Sequence, residues 1–127
     1  GSMSAYMLGN IYYNQKKYDE AITWFELASS KSNAGFVNGG ALEGLANCYE
    51  AKGDNASAIK YLEKALSNDQ LKYRHAGIRW KLALLNRTAD KKKAGEFCNQ
   101  IMSDTLATEY HQKAEILMAS LEAGTSG

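Results

Sequence analysis

The sequence predicts an all-α fold built as a solenoid of helix pairs. Three observations carry that expectation. The chain resembles itself at a spacing of 37 residues: Leu8 returns as Leu45 and Leu82, Asn10 as Asn47, Tyr12 as Tyr49, Ala21 as Ala58, Glu26 as Glu63 and Ala28 as Ala65. A fixed period of 20–50 residues marks a stacked-repeat architecture. Within each copy, apolar residues follow helical spacing, as in Leu8, Ile11, Tyr12 and then Ala21, Trp24, Phe25, Ala28. Gly9, Ala46 and Ala83 recur at one register. A small residue inside a helix, where glycine costs about 1 kcal/mol relative to alanine, makes sense if another helix crosses there.

The elements follow in order. The first copy reads as a helix through Leu8–Tyr13, a polar turn at 14–17 and a helix from Tyr18 to Ala28. In the second, a helix is expected over Leu42–Lys52, a turn at Gly53-Asp54-Asn55, and a helix over Ala56–Ser67. Glycine ends the first of these helices, and Asp54 or Asn55 caps the second. The third copy has diverged: its turn is one residue shorter, so Ala94 aligns with Ala58, and Asn86 replaces the repeated tyrosine. Helices are expected from about Tyr73 to Arg87 and from about Lys91 to Ser103. Asp104-Thr105 reads as the N-cap of a seventh helix running to about Glu122, with Leu106, Tyr110, Ala114, Leu117 and Leu121 as its apolar stripe. Such a helix would cover the open end of the stack. Residues 124–127 read as a frayed tail.

Length and charge bound the rest. The 127 residues suit one domain. Net charge is +1 but unevenly spread: −2 over residues 1–69, +7 over 70–95 and −4 over 96–127. The basic segment holds Lys72, Arg74, His75, Arg79, Lys81, Arg87 and Lys91-Lys92-Lys93. It reads first as a solvated helix face and turn. As a binding surface it suits an acidic protein partner, or the acidic seventh helix of a second copy. Nucleic acid is disfavoured because the total charge is near neutral. No apolar run approaches the roughly 18 residues that span a bilayer, so no membrane contact is expected from this segment. Gly1-Ser2, and Met3 with them, read as a remnant of cloning, and the chain is expected to start inside a longer protein. The compartment is left open between the cytoplasm and, if a leader or anchor was removed, the periplasm.

Catalytic and metal chemistry find no support. Cys48 and Cys98 stand in different copies with no histidine at ligand spacing, and read as small buried apolar residues. His75 and His111 read as surface histidines. Asp19 and Glu20 are adjacent, so on a helix they do not face each other; they suit a helix N-terminus instead. The scattered glycines form no phosphate loop and no dinucleotide fingerprint. Neither a cofactor nor a metal is expected, and the chain is read as no enzyme.

Leu8-Gly9-x-x-Tyr12, Ala21-x-x-x-Phe25 and Ala28, repeated as Leu45-Ala46-x-x-Tyr49, Ala58-x-x-x-Leu62 and Ala65, closely resemble the tetratricopeptide repeat consensus. The resemblance implies a right-handed α-solenoid of antiparallel pairs and about seven helices. The repeats would fall at about 2–35, 39–72 and, divergent, 73–103, with a capping helix at about 105–122 and a tail at 123–127. There are two departures. The chain has no proline, though the family often has one where Asn33 and Gln70 fall. The period is 37 and not 34, so longer helices or a longer connection are expected near Phe36-Val37-Asn38.

The resemblance also implies a concave groove lined by the first helix of each pair, where a peptide or protein segment binds. Its residues here would be Tyr6, Asn10, Tyr13 and Asn14, then Glu43, Asn47 and Glu50, then Lys81, Leu84 and Arg87. Met3, Ala51 and Trp80 lie on the same outward faces, Trp80 more as a packing residue. The carboxylate clamp of chaperone-binding members would fall at Tyr6, Asn10, Gly44, Gly77 and Lys81. Only Asn10 matches in kind and Lys81 in charge, so that mode is not expected. The leading expectation is a non-enzymatic interaction scaffold. Its alternatives are a self-associating module whose Met3, Tyr6 and Met7 form an exposed end, and the soluble part of a membrane-anchored bacterial envelope assembly or translocation accessory protein.

Overall fold

A computed structural model describes residues 1–32 and 35–126. They form seven α-helices and no strand. Two compact units divide the chain, an N-terminal one over residues 1–72 and a C-terminal one over 73–127. The first holds α1 (Ser2–Asn14), α2 (Tyr18–Lys31), α3 (Gly35–Ala51) and α4 (Asn55–Leu66). The second holds α5 (His75–Asn86), α6 (Lys91–Ser103) and α7 (Thr108–Ser126). Consecutive helices pack on each other within each unit, and α1 also touches α3, as α5 touches α7.

The first two turns repeat in detail. After α1, Lys17 N–H donates to Tyr12 O at 2.9 Å and Lys16 N–H to Tyr13 O at 2.9 Å. After α3, Asp54 N–H donates to Tyr49 O at 2.8 Å and Gly53 N–H to Glu50 O at 2.9 Å. Both are Schellman closures, which need a left-handed residue just past the helix. Gly53 takes it at φ +82°, and Lys16 takes it at φ +61°. Asp54 then caps α4, its Oδ1 accepting from Ser57 N–H at 3.1 Å and its Oδ2 from Ser57 Oγ at 2.7 Å. Those bonds, the hydroxyl's first, hold its carboxyl below the usual range. Asp90 caps α6 through Lys93 N–H at 3.0 Å, which offsets three lysines in the first turn.

The core of the N-terminal unit is centred on Phe25. A Cβ added to Gly9 on α1 would stand 2.6 Å from the Phe25 ring, and one added to Gly44 on α3 would stand 2.7 Å from it. The ring is thus held between two helix backbones. Tyr6 lies tilted against it at 6.0 Å, its hydroxyl over Gly40 of α3. Around them, Ala21, Ala28, Leu42, Leu45, Leu62 and Leu71 are buried. In the C-terminal unit, Ile78, Leu82, Cys98 and Ile101 are fully buried, joined by Ala107 just before α7 and by Ala114, Leu117 and Leu121 on it.

The extra three residues per period lengthen a helix. α3 begins at Gly35, seven residues before the expected Leu42. Buried Asn38 in its first turns explains the join. Its Nδ2 donates to Ser32 O at 2.6 Å and Ser29 O at 3.3 Å, so it satisfies carbonyls at the end of α2. Its Oδ1 accepts from Asn68 Nδ2 at 3.3 Å. Asn68 Oδ1 in turn accepts from Gln70 N–H at 3.0 Å, a donor that proline would remove. Asn33, the other place for the family's proline, lies outside the described residues.

Five expectations are corrected. The fifth helix starts at His75, not Tyr73, because a 3₁₀ segment over Asp69–Arg74 precedes it. The seventh helix starts at Thr108: Asp104 closes α6, and its Oδ1 accepts from Leu106 N–H at 2.9 Å in a turn of its own. Leu106 therefore leaves the expected stripe and is 92% exposed, and buried Ala107 leads the stripe in its place. The expected tail is helical to Ser126, while Gly127 lies outside the described residues. His75 is buried, not at the surface.

Gly44→Ala is expected to lower unfolding stability by about 1–3 kcal/mol, the range for overpacking a filled core, read by urea denaturation. Phe25→Leu in the same chain should recover part of that loss, a coupling that a double-mutant cycle measures. Lys16→Gly should raise stability by up to about 1 kcal/mol, because an L side chain in the left-handed region costs about 1–2 kcal/mol.

Candidate functional site

The expected groove residues fall on two faces, one in each unit. In the N-terminal unit, α1 and α3 lie side by side. Asn10 and Tyr13 on α1 are half-buried and Asn14 is exposed; Glu43 and Asn47 on α3 are half-buried and Glu50 is exposed. Tyr6, though on the same helix face, is used in packing, since its ring rests on Phe25 and its hydroxyl end covers Gly40. In the C-terminal unit, Lys81 and Leu84 on α5 are half-buried, as is Trp80, and Arg87 is exposed.

Tyr13 is the best-defined member of the first face. Its ring meets Tyr18 of α2 edge-on at 5.6 Å. Burial raises its phenol pKa, and Tyr18, Cys48 and Glu50 raise it further. Tyr13 and Glu50 are therefore electrostatic neighbours, so the structure brings together two residues that the 37-residue period alone places on separate copies. Asn10 and Asn47 occupy one register on α1 and α3. The face is an aromatic edge flanked by amides and carboxylates.

Tyr49 and Tyr61 form a second aromatic pair that sequence reasoning missed. Their rings stack at 5.7 Å and 10°, with Lys60 Nζ 5.6 Å from the Tyr61 centroid. Tyr49 belongs to the repeat consensus and Tyr61 is singled out by no motif, so nothing in the pattern marks the pair. Asp19, read as a helix N-terminal charge, also pairs with Lys52 at the end of α3. That bond, the largest cause, raises the Lys52 pKa.

Arg79 is a further residue the sequence left within a general basic stretch. Its register matches buried Leu42 of the second copy, and its guanidinium Nη1 lies 4.0 Å from Asp104 Oδ2. His111 donates through Nε2 to the Asp104 carbonyl at 2.7 Å, the only role open to a nitrogen facing a carbonyl oxygen. Asp104 thus ties α5 and α7 to the end of α6. A cavity of about 530 Å³ opens beside Arg79 and Asp104, lined also by Asn99, Gln100 and Ser103.

Both cysteines are free and buried. Burial pushes the Cys48 thiol up to about 11 and raises that of Cys98, the opposite of what a nucleophile or metal ligand needs. Among the described residues no group of three His, Cys, Asp or Glu side chains could hold a metal ion, and no helix is long and apolar enough to cross a membrane.

Antiparallel helix pairs repeating at 37 residues, with polar and aromatic side chains on their first helices, define a helical-repeat scaffold. The chain belongs to the tetratricopeptide repeat family: one family model, described as tetratricopeptide repeat, matches residues 2–71 and a second matches residues 44–100. A comparison with curated proteins finds no match. The family's fold is a non-catalytic scaffold for protein interaction.

The raised thiol and phenol pKa values set a pH dependence. A group whose folded pKa lies above its unfolded value stabilises fully below the unfolded pKa, and the benefit is lost as pH rises through the folded one. For Cys48 that window runs from the ordinary 9.0 to about 11, and Tyr13, Tyr61 and Cys98 act in the same direction. Urea-unfolding free energies should hold level from pH 7 to 8.5 and fall above 9, and Cys48→Ala should flatten the fall. A thiol reagent at pH 8 should label neither cysteine until the chain unfolds.

Proposed function

We propose that this chain binds a segment of a partner protein on the exposed faces of its first helices. The N-terminal face offers Tyr13, with Asn10, Asn14, Asn47, Glu43 and Glu50 around it; the α5 face offers Lys81, Leu84 and Arg87. The observation that carries this reading is the Tyr13–Tyr18 edge beside Glu50, a semi-buried aromatic with donors and acceptors at hand. Rigid aromatic side chains give large contact area at low entropy cost, which is why they concentrate at binding hot spots. The amides on α1 and α3 suit the backbone N–H and C=O groups of an extended peptide. On the separate α5 face, Lys81 and Arg87 suit acidic side chains.

The Tyr6 position supports a peptide over a carboxylate-terminal ligand. The clamp positions Gly44 and Gly77 carry no donor side chain, and Gly44 is occupied by the Phe25 ring. Recognition on this surface rests on aromatic and amide contacts.

A peptide library displayed on phage and selected against the wild-type chain tests the proposal. Peptides enriched on the N-terminal face should lose at least about tenfold in affinity with Tyr13→Ala or Asn47→Ala, about 1.4 kcal/mol, and acidic peptides enriched on the α5 face should weaken with Lys81→Glu. Enriched peptides that bind all three variants as tightly as wild type would sink the reading.

A further inference from the structure

The 37-residue period places Arg79 of α5 where the second copy has Leu42, a core residue that is 1% exposed. The Arg79 side chain keeps only 25% of its surface open. Its ion-pair partner, Asp104 Oδ2, stands 4.0 Å from Nη1, too far for a hydrogen bond. Its Nε is buried and has no hydrogen-bond partner. A largely buried guanidinium, with five N–H donors, therefore spends none of them on an acceptor among the described residues. A donor left in that state is costly, and leucine at the same register carries no such cost.

Asp104 is not free to close the gap. Its Oδ1 accepts from Leu106 N–H at 2.9 Å, and its carbonyl accepts from His111 Nε2 at 2.7 Å. Both bonds hold it where it stands. The guanidinium looks instead onto the open cavity of about 530 Å³ beside the end of α6. Nε alone is closed off, so the Nη end is the part an incoming group meets.

The rest of the cavity wall is polar. Asn99 and Gln100 are exposed, and their side-chain amides make no hydrogen bond among the described residues. Ser103 Oγ donates to Asn99 O at 2.9 Å, which leaves its lone pairs to accept. A carboxylate matches the planar guanidinium fork with two parallel charge-assisted bonds, which a single carbonyl cannot make. The unspent amides beside the fork match the N–H and C=O groups of a peptide backbone that carries the carboxylate. All five lining residues belong to the C-terminal unit.

We propose that this cavity binds the carboxylate of an aspartate or glutamate side chain in a partner segment. The Nη end of Arg79 is the anion contact, and Asn99 and Gln100 hold the adjoining backbone. Asp104 orients the guanidinium but opposes a second negative charge, so affinity for a single carboxylate is modest. The site is separate from the α5 face described above, because Lys81 lies two residues on from Arg79, about 200° around the helix.

Titration of the isotope-labelled chain, followed by NMR of its backbone, amide and arginine N–H groups, tests this. The probe is a pool of blocked pentapeptides with glutamate at the centre and random flanks; the control pool has glutamine there. The glutamate pool should shift the Arg79 Nε–H and the Asn99 and Gln100 side-chain signals saturably, and the glutamine pool should leave them in place. Arg79→Leu, the residue the second copy tolerates at this register, should abolish the shifts. Circular-dichroism melting checks that it folds, and Arg79→Gln serves if it does not. Asp104→Asn keeps an acceptor for Leu106 N–H and removes the like charge, so it should tighten binding at least about threefold. No saturable shift with the glutamate pool, equal shifts with both pools, undiminished binding in the Arg79 variant, or weaker binding in Asp104→Asn would each overturn the proposal. Saturation by inorganic phosphate but not by the glutamate pool would overturn it in favour of a phosphate site. Tyr13→Ala and Lys81→Glu should leave these shifts unchanged, so this site and the faces proposed above stand or fall separately.

Discussion

The packing of the N-terminal unit depends on one side chain lodged between two backbones. Phe25 of α2 reaches Gly9 on one side and Gly44 on the other, at distances where no Cβ fits. Burying such a ring is worth about 1.5–3 kcal/mol by transfer alone. The geometry does more than the transfer energy, because it fixes how closely α1 and α3 approach the same helix. The α1/α3 face, and the spacing of Asn10 and Asn47 on it, follow from that approach. A glycine in a helix interior weakens the helix by itself, so two of them here trade local propensity for tertiary contact.

Most of the fold was legible in the sequence because its causes are local or periodic. The 3.6-residue pattern, the turn glycine at 53 and the cap at Asp54 act within a few residues of one another. What was misread depends on contacts that no period displays. The early start of α3 rests on Asn38 satisfying carbonyls of α2 and pairing with Asn68, thirty residues away. The late start of α7 rests on Asp104, which looks like an N-cap by residue type but is engaged at the end of α6. Lys16 in a left-handed conformation is similarly invisible: its equivalent is Gly53, and only the shared Schellman bonds reveal that the two positions do the same work.

The candidate site was less legible, and for a physical reason. Helix phase places a residue on a face but does not say whether a neighbour covers that face. Tyr6 and Tyr13 are both half-buried and seven residues apart on α1, yet one seals the contact with α3 and the other presents an aromatic edge with Tyr18. The difference lies in α3: glycine at 40 leaves room for Tyr6 to lie down, whereas Cys48 and Glu50 stand beside Tyr13.

The same logic separates the two kinds of position in the chain. The alanines that recur at the 37-residue period, Ala21 and Ala58, Ala28 and Ala65, are consumed by packing. Residues that change character between equivalent places, Met for Gly, Leu for Lys, Arg for Leu, cannot all serve the same contact. Arg79 shows the consequence inside one unit. Where the second copy buries Leu42, the third has a guanidinium that must keep polar company, and Asp104 and His111 are arranged around that end of α6. Asp104 answers only the Nη1 end of that guanidinium, and the buried Arg79 Nε has no hydrogen-bond partner, a cost that the apolar Leu42 does not carry.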